Sequence, residues 1–294
     1  CSKPAARYVQ NVLNRPVRIR TVENGETIDL GGKQLQFFPA PFIHWPDTMI
    51  TLQPEAEILF TCDLFGAHFC DSHLFNDEIT RDSWSDFAHY FGTIMRPFKK
   101  MVRNSLNKIN ELQFTMIAPS HGPILRQDLS KYLAAYEKWS EPLPVNEPRQ
   151  LLIYYASAYG NTERMAAEIA RGAKDAGVSV KVYDAMEIDL AAHLDRIEAA
   201  DALAVGSPTV NGDAVKPVWD LLNSLVTLDL KGKIGASFGS MGWSGEAVSF
   251  LDQRLTSLKF KVIQPGLKAT LVPGPEELQQ CYDFGAGLAR AMQA

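Results

Sequence analysis

The chain has 294 residues, more than one compact core usually takes, so two domains are expected. Its 29 Lys and Arg stand against 34 Asp and Glu, a net charge of -5 that argues against nucleic acid as the main partner. No run approaches the roughly 18 apolar residues of a membrane span, and no signal sequence opens the chain, so no membrane is expected and the cytoplasm is the default location. Cys1, Cys62, Cys70 and Cys281 are too scattered for a disulfide framework and read as buried free thiols. A start at Cys1 rather than Met points to a chain that begins inside a longer sequence or after processing.

In chain order, Leu35–Phe38, Met49–Leu52 and Ile58–Thr61 read as strands, and Trp84–Asn110 as helix interrupted at Pro97. Phe114–Ala118 then reads as a strand and Leu129–Trp139 as a helix, which makes residues 1–140 a mixed α/β region. The Pro-rich segment at residues 141–148 reads as a linker, because proline denies it helix and central-strand pairing. Beyond it, residues 149–294 alternate strands with helices. Leu151–Tyr155, Val178–Tyr183, Ala202–Gly206, Ile234–Phe238 and Lys261–Ile263 carry the strands. Thr162–Ala176, Val215–Leu225, Gly245–Ser257 and Pro275–Met292 carry the helices. That alternation implies a five-stranded parallel sheet covered on both faces, with ligands beyond the carboxyl ends of its strands.

Three loops fall at those strand ends. Ser157, Ala158, Tyr159, Gly160, Asn161 and Thr162 turn a strand into a helix N-terminus, where free amides and the helix dipole attract a phosphate. The loop lacks the Gly-Lys-Ser/Thr ending of a nucleoside triphosphate site and the three-glycine dinucleotide pattern, so a phosphate monoester fits it better. The second loop holds Ser207, Pro208, Thr209, Val210 and Asn211; the third holds Gly239, Ser240, Met241, Gly242, Trp243, Ser244 and Gly245. Glycines there admit a flat ring close to the backbone, while Trp243 and Met241 offer surfaces to lie against it. Any one such loop could serve a turn alone. Three in order on five strands point to one ligand.

In the first region His44, Asp63 and His121 each follow a strand. Singly each has an ordinary reading, as a hydrogen-bonded histidine or a turn-capping aspartate. Together, two imidazoles and a carboxylate suit iron, zinc or manganese, and a carboxylate can bridge two ions. Asp47 is a candidate to orient an imidazole from behind. His68, His73 and His89 read as structural or surface residues.

The strings S-x-Y-G-N-T at Ser157, G-S-P-T-x-N at Gly206 and G-S-x-G-W-S-G-E-A at Gly239 resemble those of the flavodoxin domain of flavodiiron proteins. H-W-P-D at His44, D-x-F-G at Asp63 and S-H-G-P at His121 resemble the metallo-β-lactamase-like domain of the same family. The resemblance implies the C-terminal part of an αβ/βα metallo-β-lactamase-like sandwich followed by a flavodoxin-like sheet. It implies FMN on the three loops and a non-haem diiron site with His44 on one iron, Asp63 bridging and His121 on the other. The activity implied is reduction of dioxygen to water or nitric oxide to nitrous oxide, electrons passing through FMN from a rubredoxin-like or reductase donor, in a homodimer or dimer of dimers. The family's further motif H-x-E-x-D-H is absent from these residues, so a companion polypeptide or a missing segment is expected to supply the remaining ligands. Without that half, an apolar sheet face is expected to lie exposed. An FMN electron carrier with a remnant first domain is the alternative reading, and a zinc hydrolase relative ranks last.

Overall fold

A computed structural model describes all residues from Cys1 to Ala294. The chain divides into two compact units, Cys1–Pro142 and Leu143–Ala294.

The first unit opens with helix α1 (Lys3–Leu13), which the sequence reading omitted; Ser2 caps it by accepting the Ala5 amide at 3.3 Å. Strands β1 (Thr27–Asp29), β2 (Gln34–Pro39), β3 (Met49–Gln53) and β4 (Ile58–Cys62) follow in antiparallel order. The short β1 was also unanticipated. Helix α2 (Trp84–Tyr90) runs through a π turn at Phe91–Met95 and a 3₁₀ turn at Arg96–Phe98 into α3 (Lys99–Ile109). The break falls at Pro97, whose ring denies a continuous helix its backbone donor. Strand β5 (Met116–Pro119) joins β4 in parallel, and α4 (Leu129–Trp139) closes the unit. One sheet face, with Phe38, Ile50, Leu52, Leu59 and Ile117, is buried in a core that also holds Phe87, Val102, Leu106 and Tyr136 from the helices. The opposite face is partly open. Phe60, which alternates with Leu59 along β4, is 44% exposed, and its flanking Ile58 and Met116 are only half-buried.

The second unit contains β6 (Gln150–Tyr155), α5 (Asn161–Asp175), β7 (Ser179–Asp184), α6 (Leu190–Ala199) and β8 (Ala202–Gly206). It continues through the short hairpin β9 (Thr209–Val210) and β10 (Asp213–Ala214), α7 (Lys216–Ser224), β11 (Ile234–Met241) and α8 (Glu246–Ser257) to β12 (Lys261–Val262), β13 (Leu267–Thr270) and α9 (Pro275–Gln293). Its parallel sheet has the order β7-β6-β8-β11, with β12 and β13 both on the outer side of β11. This is the flavodoxin-like order 2-1-3-4-5, with cores on both faces. Of the four free cysteines only Cys281 is buried, while Cys1 and Cys62 are half-buried and Cys70 is exposed, so the expectation of buried thiols holds for one of them. Two further expectations need correction. Helix α6 was not anticipated, and the fifth strand is two pieces rather than the single run Lys261–Ile263. The break passes through Pro265-Gly266, where the Gly266 amide donates to Asp252 Oδ2 at 2.9 Å while Asp252 Oδ1 accepts from buried Ser237 at 2.7 Å. A Cβ on Gly266 would lie 2.1 Å from Ser237 Oγ, so only glycine lets the chain cross there. Helices α5 and α9 also meet through glycine, since a Cβ on Gly172 or Gly285 would stand 1.9 Å from the Tyr282 or Ile169 carbonyl oxygen.

Asp201 fixes the entry to this unit by accepting from Asn146 at 3.0 Å, Arg149 at 2.8 Å and the Gln150 amide at 2.8 Å. No helix is long and apolar enough to cross a membrane.

Candidate functional site

The first site is assembled from three turns. Between β2 and β3 the Phe42 amide donates to the Trp45 carbonyl at 2.8 Å, and Thr48 donates its hydroxyl to the Ile43 carbonyl at 2.6 Å. These bonds present His44 beside Trp45 and Phe98, whose rings each lie 6.5 Å from the imidazole. At the end of β4 the register with β5 shifts between Phe60 and Cys62, and Cys62 takes a left-handed φ of 54°. Such a bulge re-aims the residue that follows it, here Asp63, at a sparsely populated backbone angle for a cysteine. Beyond β5, Ser120 donates its amide to the Cys62 carbonyl at 2.7 Å and Ala67 donates to the His121 carbonyl at 3.2 Å. Those two bonds stitch the Asp63 and His121 turns together. Gly122, at φ 80°, leaves room for Ala67, which a Cβ would approach to 3.0 Å.

Asp63 therefore stands between the two histidines. Its Oδ2 lies 3.5 Å from His44 Nε2 and its Oδ1 lies 3.4 Å from His121 Nε2. Both separations exceed an ordinary hydrogen bond. Each oxygen faces a different imidazole, the disposition of a carboxylate that spans two metal positions. His44, Asp63 and His121 are not gathered about a single point; each imidazole meets a different oxygen of the one carboxylate. Asp47 accepts the Ser2 hydroxyl at 2.8 Å on its backbone carbonyl, which leaves its carboxylate out of that bond. Burial, reinforced by the Asp63 charge, pushes the Cys62 thiol up, keeping it protonated at neutral pH.

Two neighbours escaped the sequence reading. Tyr90 is 1% exposed with its ring 6.2 Å from that of His121, and burial with the nearby Asp63 charge raises its phenol. His68, taken as structural or surface, is indeed exposed, but its ring lies 4.7 Å from Tyr90 and 6.3 Å from His121. A tyrosine inside a long helical pattern carries no signal of such proximity; only the fold brings α2 behind the Asp63 turn. His73 instead bonds Asp71 at 2.7 Å, and His89 is exposed.

The second site lies at the carboxyl ends of β6, β8 and β11. Gly160, at φ 77°, turns the chain into α5, whose first amides have no intrahelical acceptor. Ser157 Oγ accepts the Glu163 amide at 3.3 Å, and buried Thr162 shares a 2.9 Å hydroxyl bond with Ser240, tying the first loop to the third. In the second loop, Ser207 donates to the Pro208 carbonyl at 2.8 Å and accepts the Val215 amide at 3.0 Å. Asn211 and Gly212, at φ 51° and 75°, form the tight turn of the β9–β10 hairpin. The buried hydroxyl of Thr209 has no partner. Gly239 is required for the approach of β8, since a Cβ there would lie 2.0 Å from the Ser207 carbonyl oxygen. Tyr159 and Trp243 are 91% and 89% exposed, large aromatic surfaces left without packing. Free amides, an orphaned hydroxyl and two bare aromatic rings together fit a phosphorylated planar cofactor.

Comparison with known proteins agrees with both halves. The profile of the ODP family beta lactamase matches residues 1–122 and that of flavodoxin matches residues 153–285. The type A flavoprotein fprA of Rhodobacter capsulatus is 44% identical over 275 residues, covering 92% of this chain and 63% of that protein. The flavo-diiron protein FprA2 of Clostridium acetobutylicum is 36% identical over 293 residues, covering 97% of this chain and 73% of the relative. A nitric oxide reductase of Moorella thermoacetica is 36% identical, covering 91% and 67%. Among solved structures, the rubredoxin oxygen:oxidoreductase of Desulfovibrio gigas matches 99% of this chain and 74% of its own at a TM-score of 0.62 and 27% identity. The chain belongs to the flavodiiron, or type A flavoprotein, family. It spans under two thirds of the length of the Rhodobacter relative.

Proposed function

We propose that this chain is the larger part of a flavodiiron oxidoreductase that reduces dioxygen to water or nitric oxide to nitrous oxide. The observation that carries the reading is Asp63, whose two carboxylate oxygens face two different histidines in a chain that also bears the three flavodoxin loops. His44 and Asp63 would hold one iron and Asp63 and His121 the other, with the remaining ligands supplied by a further segment or a companion polypeptide. FMN would rest its phosphate on Ser157–Thr162 and its ring between the Ser207–Asn211 and Gly239–Gly245 loops. When bound, the two irons supply a place for a diatomic molecule to be reduced, and FMN supplies the exchange between one and two electrons. Within the chain, Tyr90 and the turn around it close the floor of the metal site, and the Thr162–Ser240 bond holds two flavin loops in register.

The names of the Moorella and Desulfovibrio proteins support nitric oxide and dioxygen as substrates and a rubredoxin-like donor. A cytoplasmic homodimer or dimer of dimers, with metal domain 1–140, linker 141–148 and flavin domain 149–294, completes the proposal. The test is metal and flavin analysis of the full-length protein with gas consumption under a reductant. Two irons per FMN and consumption of either gas are expected. FMN without iron or turnover would instead establish the electron-carrier reading.

A further inference from the structure

The amino ends of the parallel strands, opposite the flavin loops, hold a cavity of about 410 Å³. Small-molecule sites span roughly 300–1,000 Å³, so the volume is that of a ligand pocket. Its walls come from the start of β6, β8 and β11, the two-residue β12 and the last turn of α9. Four cations line it, Arg149, Lys231, Lys233 and Lys261, against one carboxylate, Asp201. In a chain of net charge -5 that is a local reversal of sign. Two of the cations are committed within the protein. Arg149 donates to Asp201 Oδ1 at 2.8 Å, while Asp201 Oδ2 accepts from Asn146 and the Gln150 amide. Lys233 donates to the Ala200 carbonyl at 2.5 Å, at the carboxyl end of α6, where the helix dipole favours a positive charge. The ammonium groups of Lys231 and Lys261 have neither a hydrogen bond nor an ion pair. The backbone nevertheless brings them together: the Gly232 amide donates to the Lys259 carbonyl at 3.1 Å and the Lys261 amide to the Lys233 carbonyl at 2.8 Å. A Cβ on Gly232 would meet only Lys261 Cε, at 3.9 Å, so that stem runs alongside the Lys231–Lys233 turn. Two unpaired ammonium groups in one cleft repel each other, and an anion shared by both relieves the repulsion. The rest of the wall is apolar, with Ile263 44% exposed and Ile234 and Ala291 half-buried.

We propose that this cavity is a second ligand site, for a phosphate monoester of mononucleotide size, with the phosphate on Lys231 and Lys261 and the body of the ligand along Ile234, Ile263 and Ala291. Lysine holds phosphate as a point charge and does not need the paired geometry of a guanidinium, so two flexible stems on neighbouring turns are enough. The apolar wall selects against bare phosphate, because only a ligand with a body removes that surface from water. The site lies at the other end of the sheet from Ser157–Thr162 and stands whether or not the flavin reading holds. A ligand that binds only the folded chain also stabilises it.

The test titrates AMP by calorimetry into the full chain, first incubated with FMN and then freed of the excess, with inorganic phosphate and adenosine as separate arms. Saturable binding of one AMP and a raised melting temperature are expected, with phosphate and adenosine each binding more weakly than AMP. Combining Lys231→Gln with Lys261→Gln should weaken AMP at least about tenfold and leave flavin absorbance intact, while Lys231→Arg with Lys261→Arg should retain binding. No saturable heat with AMP, or an affinity unchanged in the double Gln variant, would overturn the site. Adenosine binding as tightly as AMP would overturn the role of the lysines, and phosphate binding as tightly would overturn that of the apolar wall. Release of FMN by AMP would put the probe on the flavin loops, overturning the second site and leaving the flavin reading untouched.

Discussion

Thr209 is half-buried, but its hydroxyl oxygen is buried and unpaired, and leaving such a group unsatisfied costs about 1–3 kcal/mol. Thr209→Val should stabilise the flavin-free protein, seen as a higher melting temperature. The same change should weaken FMN binding about tenfold, roughly 1.4 kcal/mol, in a fluorescence titration; unchanged affinity would remove Thr209 from the flavin site. At the proposed metal site, His44→Ala and His121→Ala should each lower iron content while leaving flavin absorbance intact, and Asp63→Ala should lower it further because that carboxylate faces both imidazoles. Full iron occupancy in any of the three would refute its assigned role. His193 offers a readout apart from both sites. Its Nδ1 bonds the buried Tyr154 hydroxyl at 2.8 Å, and burial, with the Arg196 charge beside it, lowers its pKa below the ordinary 6.5. The unfolded chain therefore binds the proton more readily. The stability His193 contributes is present above about pH 6.5 and is lost as pH falls through the lowered value. Melting temperature should drop over that range less steeply in His193→Gln than in the parent.

At the scale of elements, the α5–α9 crossing gives a sharp contrast. Gly172→Ala and Gly285→Ala each drive a methyl into a backbone carbonyl at 1.9 Å and should cost about 3 kcal/mol or more in denaturant unfolding. Gly287→Ala, on the same helix with nothing nearer than 3.8 Å, should be neutral or gain up to about 1 kcal/mol from helix propensity. Much of this architecture is legible in the sequence, because apolar strands such as Leu151–Tyr155 and the glycine loops after them have strong local signatures. What escapes it depends on partners distant in the chain. Helix α6 fully buries only His193, Ile197 and Glu198, two of them polar, and α1 fully buries no residue. The second half of the fifth strand lies beyond Pro265-Gly266, a pair that reads as a terminus until Ser237 and Asp252 are seen to carry the chain across it. The two histidines and the aspartate are visible as strand-end residues, but the one-residue shift in β4 that aims Asp63 between them is not.

Across the whole molecule the two units differ in completeness. Leu143–Ala294 covers both faces of its sheet, so that segment expressed alone should fold and bind FMN one to one by circular dichroism and absorbance. An unfolded product would refute its independence. The first unit leaves the Phe60 face of its sheet partly bare and is expected to be the less soluble of the two when isolated, by sedimentation after expression. Within the second unit, the glycine contact between α5 and α9 has a consequence for cofactor retention. The amino end of α5 is the proposed phosphate cradle, and its shaft is seated by the last helix of the fold. A lesion in that distant helix that loosens the seat would be felt first as a leaking cofactor, with colour lost from the protein before any loss of shape.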